Sequence, residues 1–286
     1  MKSKVYFSKE ISSEAVLRLY KALGVELGER VAIKVHSGER GNQNFLGPEF
    51  WKDIICHVGG TVVECNTAYE GARNTTERHL ELMREHGWAE LFPVEILDAT
   101  SEIALEIPNG RVIKKNFVGK GIKNYNSMLV LSHFKGHPMG GYGGAIKQLS
   151  IGVASSYGKK YIHGAGDENN FWSAPRDMFL EAMADAASSV IDFFGGRLCY
   201  INVMKNMSVD CDCCAVAEDP CIADIGILAS CDPVAIDQAC IDLVYASKDK
   251  GAPHLIERIE SRNGIHTIEA SEALGLGSRE YELIEI

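Results

Sequence analysis

The sequence has no apolar run near the roughly 20 residues needed to cross a bilayer as a helix, so a helical membrane span is not expected. It also lacks a Lys/Arg-rich block, and its formal charge over 286 residues is -10. A field of that sign repels phosphate backbones and anionic lipid surfaces, so neither nucleic acid nor membrane is expected as a partner. Residues 1–16 lack the uninterrupted apolar stretch of a signal peptide, because Lys9, Glu10 and Glu14 break it, and the cytoplasm is the expected location. No Gly-Lys-Ser/Thr triplet marks a P-loop, and no internal repeat or low-complexity linker occurs. Nine cysteines are present, but their number is odd and their spacing is not that of a small disulfide-stapled fold. Reduced thiols are expected.

What remains is an ordinary globular composition, 46% apolar and 24% charged, able to build a sizeable core. The length suits one α/β unit or two lobes over residues 1–125 and 126–286. Short apolar runs at 4–7, 31–35, 61–65 and 128–131 read as strands. The first three alternate with helical patterns that start at Ser12 or Ser13, at Pro48 and at Thr76, and stop at Gly24, Gly59 and Gly87. That alternation predicts a mostly parallel sheet flanked by helices. Residues 103–107 and 112–118 instead alternate with period two around Asn109-Gly110, which predicts an antiparallel hairpin inserted in the sheet. The longest helical pattern covers 174–194; strands at 199–203 and 225–228, a helix at 234–246, two weaker helices and a short strand follow.

Two segments carry the chemistry. The first, residues 132–147, runs from a strand end through five glycines to Lys147 at a helix start. Glycines allow close backbone approach, and free N–H groups at a helix start attract anions, so Gly143 and Gly144 are candidate ligand-binding positions beside Lys147. The spacing does not match a dinucleotide fingerprint, because Ile146 stands where the last glycine belongs. His133 and His137 lie in the same segment, and His163 sits in a stretch rich in small residues that reads as a loop. All three could move protons. Lys34 and His36 end the second strand, while Asn66, Tyr69 and Arg73 follow the third; loops at the carboxyl ends of parallel strands gather ligands, so these residues could share one rim.

The second segment is Asp210-Cys211-Asp212-Cys213-Cys214. Thiolates are soft ligands for zinc, copper or iron, and neighbouring carboxylates favour a cation. Cys211, Cys213 and Cys214 are therefore candidate metal ligands, although Cys-x-Cys-Cys is not the Cys-x-x-Cys spacing of zinc knuckles and ferredoxins. Cys56, Cys65, Cys199 and Cys240 fall inside predicted elements and read as structural.

Several segments together resemble the domain-of-unknown-function family three-six-two, often described as iron-sulfur proteins. They include Ile33-Lys34-Val35-His36, Cys65-Asn66-Thr67, Ser132 to His137, Gly143-Gly144-Ala145-Ile146-Lys147, Asp210 to Cys213 and Asp232-Pro233-Val234-Ala235-Ile236-Asp237. Many members carry two ferredoxin-type cysteine quartets after the position of His163; here residues 164–176 hold no cysteine. The resemblance thus implies a site built from Lys34, His36, Asn66, His133, His137, Lys147, His163 and the cysteine turn, without naming a reaction. The glycine loop, Lys147, Gly152-Val153-Ala154-Ser155 and a histidine sixteen residues past the lysine are also similar to the nickel-pincer lactate racemase family. That similarity implies cofactor contact at Lys147, with His137 and His163 as base and metal ligand.

The expectations therefore are a metal- or iron-sulfur-binding protein, redox-linked in one version, or a racemase- or isomerase-like enzyme acting on a small hydroxy acid or similar anion. A sensor that binds the same ligand without turnover is the third. In each the partner is a small molecule or a metal, the cofactor being a transition metal or a cluster.

Overall fold

The apolar runs become strands in the computed structural model, which describes residues 2–286. The main sheet contains β1 (Ser3–Ser8), β2 (Val31–Lys34), β3 (Thr61–Glu64), β4 (Val94–Ile96), β7 (Ser127–His133), β10 (Leu198–Met204), β11 (Gly226–Ser230) and β12 (Tyr281–Glu285). Their order is β12-β1-β11-β10-β7-β2-β3-β4. From β10 to β4 all neighbours are parallel; β11 runs antiparallel to both β10 and β1, and β12 is parallel to β1. Strands from both ends of the chain thus share one sheet.

Every residue of β7 is buried, as expected for a central strand covered on both faces. Successive side chains go to opposite cores: Met128 and Val130 join one apolar cluster, Leu129 and Leu131 the other. Helix ends follow the predicted chemistry. Ser12 accepts the Ala15 N–H ahead of the helix Ser13–Leu23, Gly24 closes it at φ 65°, and Thr75 caps Thr76–Glu85.

The antiparallel ribbon forms as its own two-stranded sheet, β5 (Glu102–Glu106) with β6 (Lys115–Gly119), beside the main sheet rather than within it. Its connection is longer than the tight Asn109-Gly110 turn expected, because buried Asp185 holds it open. That carboxylate accepts the N–H groups of Arg111, Val112 and Ile113 at 2.7–2.9 Å. The glycine-rich segment also acquires regular structure, β8 (Lys135–His137) pairing with β9 (Gly141–Gly143). His163 is not in a loop: it ends the helix Ser156–His163, started by the Ser155 side chain accepting from Gly158 N. The small residues after it, not those around it, are the helix stop. No described helix is long and apolar enough to cross a membrane.

Candidate metal centre and its cavity

Parallel strands deliver their carboxyl ends to one rim, and here that rim carries charge. Lys34 ends β2 with no exposed surface and donates to Glu64 Oε2, at the end of β3, at 2.6 Å. Glu64 also accepts from Ser37 N at 2.8 Å. Burial pushes its carboxyl up, but Lys34, His36, His79 and Arg73 outweigh that and hold it well below the usual carboxylate range. Lys34 loses more to burial than Glu64 returns, so its ammonium lies below the ordinary lysine range. Above the rim opens a cavity of about 330 Å³ whose wall includes Lys34, His36, Arg73, His137, Lys147, Lys159, His163, Cys213 and Cys214.

The glycine loop meets the cysteine turn because Gly136 has no side chain. A Cβ there would lie 2.5 Å from Val209 Cα, and its own N–H donates to Ser208 O at 2.8 Å, pinning the chain just before Cys211. Lys147 Nζ then reaches Cys211 Sγ at 3.5 Å, and the N–H of Cys213 reaches the same sulfur at 3.4 Å. One donor atom each from His137, Cys211 and Cys213 lies within 4.8 Å of the others. A hydrogen bond from the Cys213 thiol, with Lys147 and Lys135 nearby, outweighs burial and pulls Cys211 well below the normal thiol range; Cys213 moves the other way and keeps its proton. Lys147 loses by burial but gains more from Cys211 and Cys213, and stays charged.

The three histidines on the wall differ in their free nitrogen. His36 Nδ1 accepts from Gly38 N at 3.1 Å, and His137 Nδ1 accepts from Gly140 N at 2.9 Å and Met139 N at 3.2 Å. The His137 ring therefore carries its proton on Nε2 when neutral, whereas His36 Nε2 faces the Arg73 guanidinium, a donor, at 3.5 Å. Burial lowers the pKa of both rings; His36 falls to about 4, with Arg73 adding to the burial effect. His163 has the opposite tautomer to His137. Its Nδ1–H donates to Lys159 O at 2.8 Å, leaving the Nε2 lone pair without a protein partner, and burial pushes its pKa down to about 3. Phe179 stacks on that ring at 4.7 Å and Phe171 meets it edge-on at 5.2 Å.

Residues 31–242 match the family described as "Domain of unknown function (DUF362)". The chain belongs to that family. Among solved structures this DUF362 chain is similar to the lactate racemase apoprotein from Thermoanaerobacterium thermosaccharolyticum, at 17% identity and TM-score 0.40, over 69% of this chain and 50% of that one. A Thermotoga maritima protein is similar at 8% identity and TM-score 0.46, over 91% of this chain and 58% of that one. The chain thus spans about half the length of the racemase. No curated protein matches it in sequence.

Within this DUF362 fold the predicted residues separate into those on the cavity wall and those behind it. Lys34, His36, Arg73, His137, Lys147, His163, Cys213 and Cys214 line the cavity, with Cys211 directly behind Lys147. His133 is elsewhere. It is buried with Nδ1 at 2.9 Å from Asp212 and Nε2 at 2.6 Å from Lys205 O, so both nitrogens are engaged by acceptors within the protein. Asp212 is held by His133 and by Lys135 at 2.8 Å; burial raises its carboxyl, and these two partners more than reverse that. Asn66 lines a separate polar pocket with Asp98 and Ser156, its side chain bound to Thr76.

The helix start that follows Gly143 and Gly144 has an internal partner. Buried Asp237 already occupies it, accepting Ala145 N at 2.7 Å and Ile146 N at 3.0 Å, and a Cβ on Gly144 would meet Asp237 Oδ1 at 2.4 Å. The glycine is required by this internal carboxylate. Glu64, Lys159, Phe171 and Trp172 went unnoticed in the sequence. Glu64 offered a signal, a charge closing an apolar strand as Lys34 does; Lys159 offered none, because it sits on a helix that the pattern did not reveal.

Proposed function

We propose that this protein binds one soft or borderline transition-metal ion through the Cys211 and Cys213 sulfurs, with His137 as a third ligand, on the wall of a small-molecule cavity. The observation that carries it is the approach of the three donor atoms to within 4.8 Å of one another beside that cavity. Sulfur and imidazole select zinc, copper or iron over magnesium or calcium. Since His137 Nδ1 is taken by two amides, a metal at Nε2 must displace the ring proton; the two sulfurs are the primary arms. A four-iron cluster fits less well, because it takes four cysteines, and Cys214 lies outside the group, its N–H closing the turn onto Cys211 O at 2.9 Å. Nine free thiols suit a reducing compartment such as the cytoplasm.

Anaerobic purification and elemental analysis test this. Near-stoichiometric metal is expected in the wild type, little in Cys211→Ser or Cys213→Ser, and a partial loss in His137→Ala. Wild-type protein without stoichiometric metal, or cysteine variants that keep it, would end the proposal.

A second reading, acid–base turnover of a small hydroxy acid, is favoured by one observation, the unpartnered Nε2 of neutral His163 on the cavity wall. Incubation with small 2-hydroxy acids in D2O should then incorporate deuterium at the carbon bearing the hydroxyl, and His163→Gln should abolish it. No incorporation by the wild type removes this reading.

A further inference from the structure

We infer that the cavity takes a small organic monoanion, a carboxylate on an apolar body, with Lys159 as its counter-ion and Phe171 and Trp172 against its apolar end. The inference deepens the proposed small-molecule site and rests on that cavity receiving a ligand, but not on the metal.

The argument is a count of charges on one wall. Lys34 is matched by Glu64, Arg73 by Glu39 at 3.1 Å, and Lys147 Nζ is turned onto Cys211 Sγ at 3.5 Å. Lys159 is only 8% exposed and lines the same space, yet its Nζ meets no carboxylate among the described residues. Its bond is to the carbonyl of Ala154 at 2.5 Å, which leaves two of three ammonium donors free. A buried cation without an anion is costly, and a ligand carboxylate would supply the missing charge.

A phosphate would need more than one cation and a set of free amides, and the amides are spent. Ala145 and Ile146 donate to Asp237, and Met139 and Gly140 to His137. One unmatched ammonium therefore suits a single negative charge. The same wall also carries apolar side chains, among them Met139, Ile151 and Phe171. Trp172 packs on Phe171 at 4.2 Å while 70% of its surface stays in water at the edge of the cavity. Such a ring costs little to cover and returns apolar burial when a ligand arrives. The volume, about 330 Å³, lies at the small end for ligand sites and fits a compact acid.

Calorimetric titration with 3-phenylpropionate and its uncharged amide, on metal-free and zinc-loaded protein, tests this. Saturable binding of the acid is expected, with the amide at least about tenfold weaker, since a charge-assisted hydrogen bond is lost. Lys159→Met should weaken the acid by a similar factor and leave the amide unchanged. Acid binding should also change the tryptophan emission, and Trp172→Phe should remove that change. Equal binding of acid and amide by the wild type, or no saturable binding of the acid up to about 10 mM, overturns the inference even if Lys159→Met does not fold. A Cys211→Ser protein that loses zinc but keeps the acid supports the inference while removing the metal proposal; zinc binding with no acid binding does the reverse.

Discussion

At the scale of single residues, the buried charges of the rim make the most direct predictions. Glu64 is ionised in the fold far below its ordinary 4.5, so its contribution to stability is complete above that pH and is lost as the pH falls below it. Urea midpoints measured between pH 7 and pH 3 should therefore decline on the acid side, and Glu64→Gln should flatten the decline while lowering the plateau. Breaking one partner of a buried pair costs about 3–5 kcal/mol, so Lys34→Met should be more harmful than Lys34→Met combined with Glu64→Leu. Should the single variant be the milder of the two, the pair does not act as described. Asp237 has the opposite sign. Burial raises its pKa to about 6 despite four donors around it, so its contribution falls as the pH rises from 3.8 towards 6. Asp237→Asn would turn amide hydrogens towards those donors, and a loss of at least about 3 kcal/mol is expected in denaturant titration.

At the scale of elements, the helices and strands were legible wherever local chemistry sufficed. Ser12 with Gly24, Thr75, and the apolar run of β7 each specify their own element through a cap, a stop or continuous burial. The ribbon β5–β6 was legible as a ribbon, but its long connection was not, because the acceptor that shapes it, Asp185, lies on the helix Arg176–Phe193. Asp185→Ala leaves three N–H groups without their acceptor and should cost at least about 2 kcal/mol, with hydrogen exchange accelerating first at residues 111–113. Unchanged protection there would remove this role. The helix Ser156–His163 was hidden for a related reason: its glycine, Gly158, weakens the local pattern, while packing requires it. A Cβ there would lie 2.0 Å from Phe117 O in β6.

At the scale of the whole molecule, the cavity depends on segments far apart in the chain meeting at one rim. The proposed metal, if bound only by the folded state, should add about 2.7 kcal/mol at a hundredfold excess over Kd, less to the extent that the neighbouring cysteines bind it in the unfolded chain, and a chelator should lower the Tm correspondingly. A Tm indifferent to both zinc and chelator would count against the centre. Gly136→Ala tests the convergence itself: the added carbon meets the backbone at Val209, so metal affinity should fall with overall stability. A variant that keeps metal affinity at full strength would show that this close approach does not position the turn.

The sequence by itself determined the α/β alternation, the helix stops, the soft donors of the cysteine turn and the cationic strand ends, because each depends on residues a few positions apart. Only the tertiary structure decided which of them meet. It brought Lys147 to Cys211 across sixty-four positions, withdrew His133 behind Asp212, and gave the helix start to Asp237 instead of a ligand. The physical reason is that a buried polar group must find its partner wherever the fold provides one. Pairings of that kind leave no periodicity in the chain.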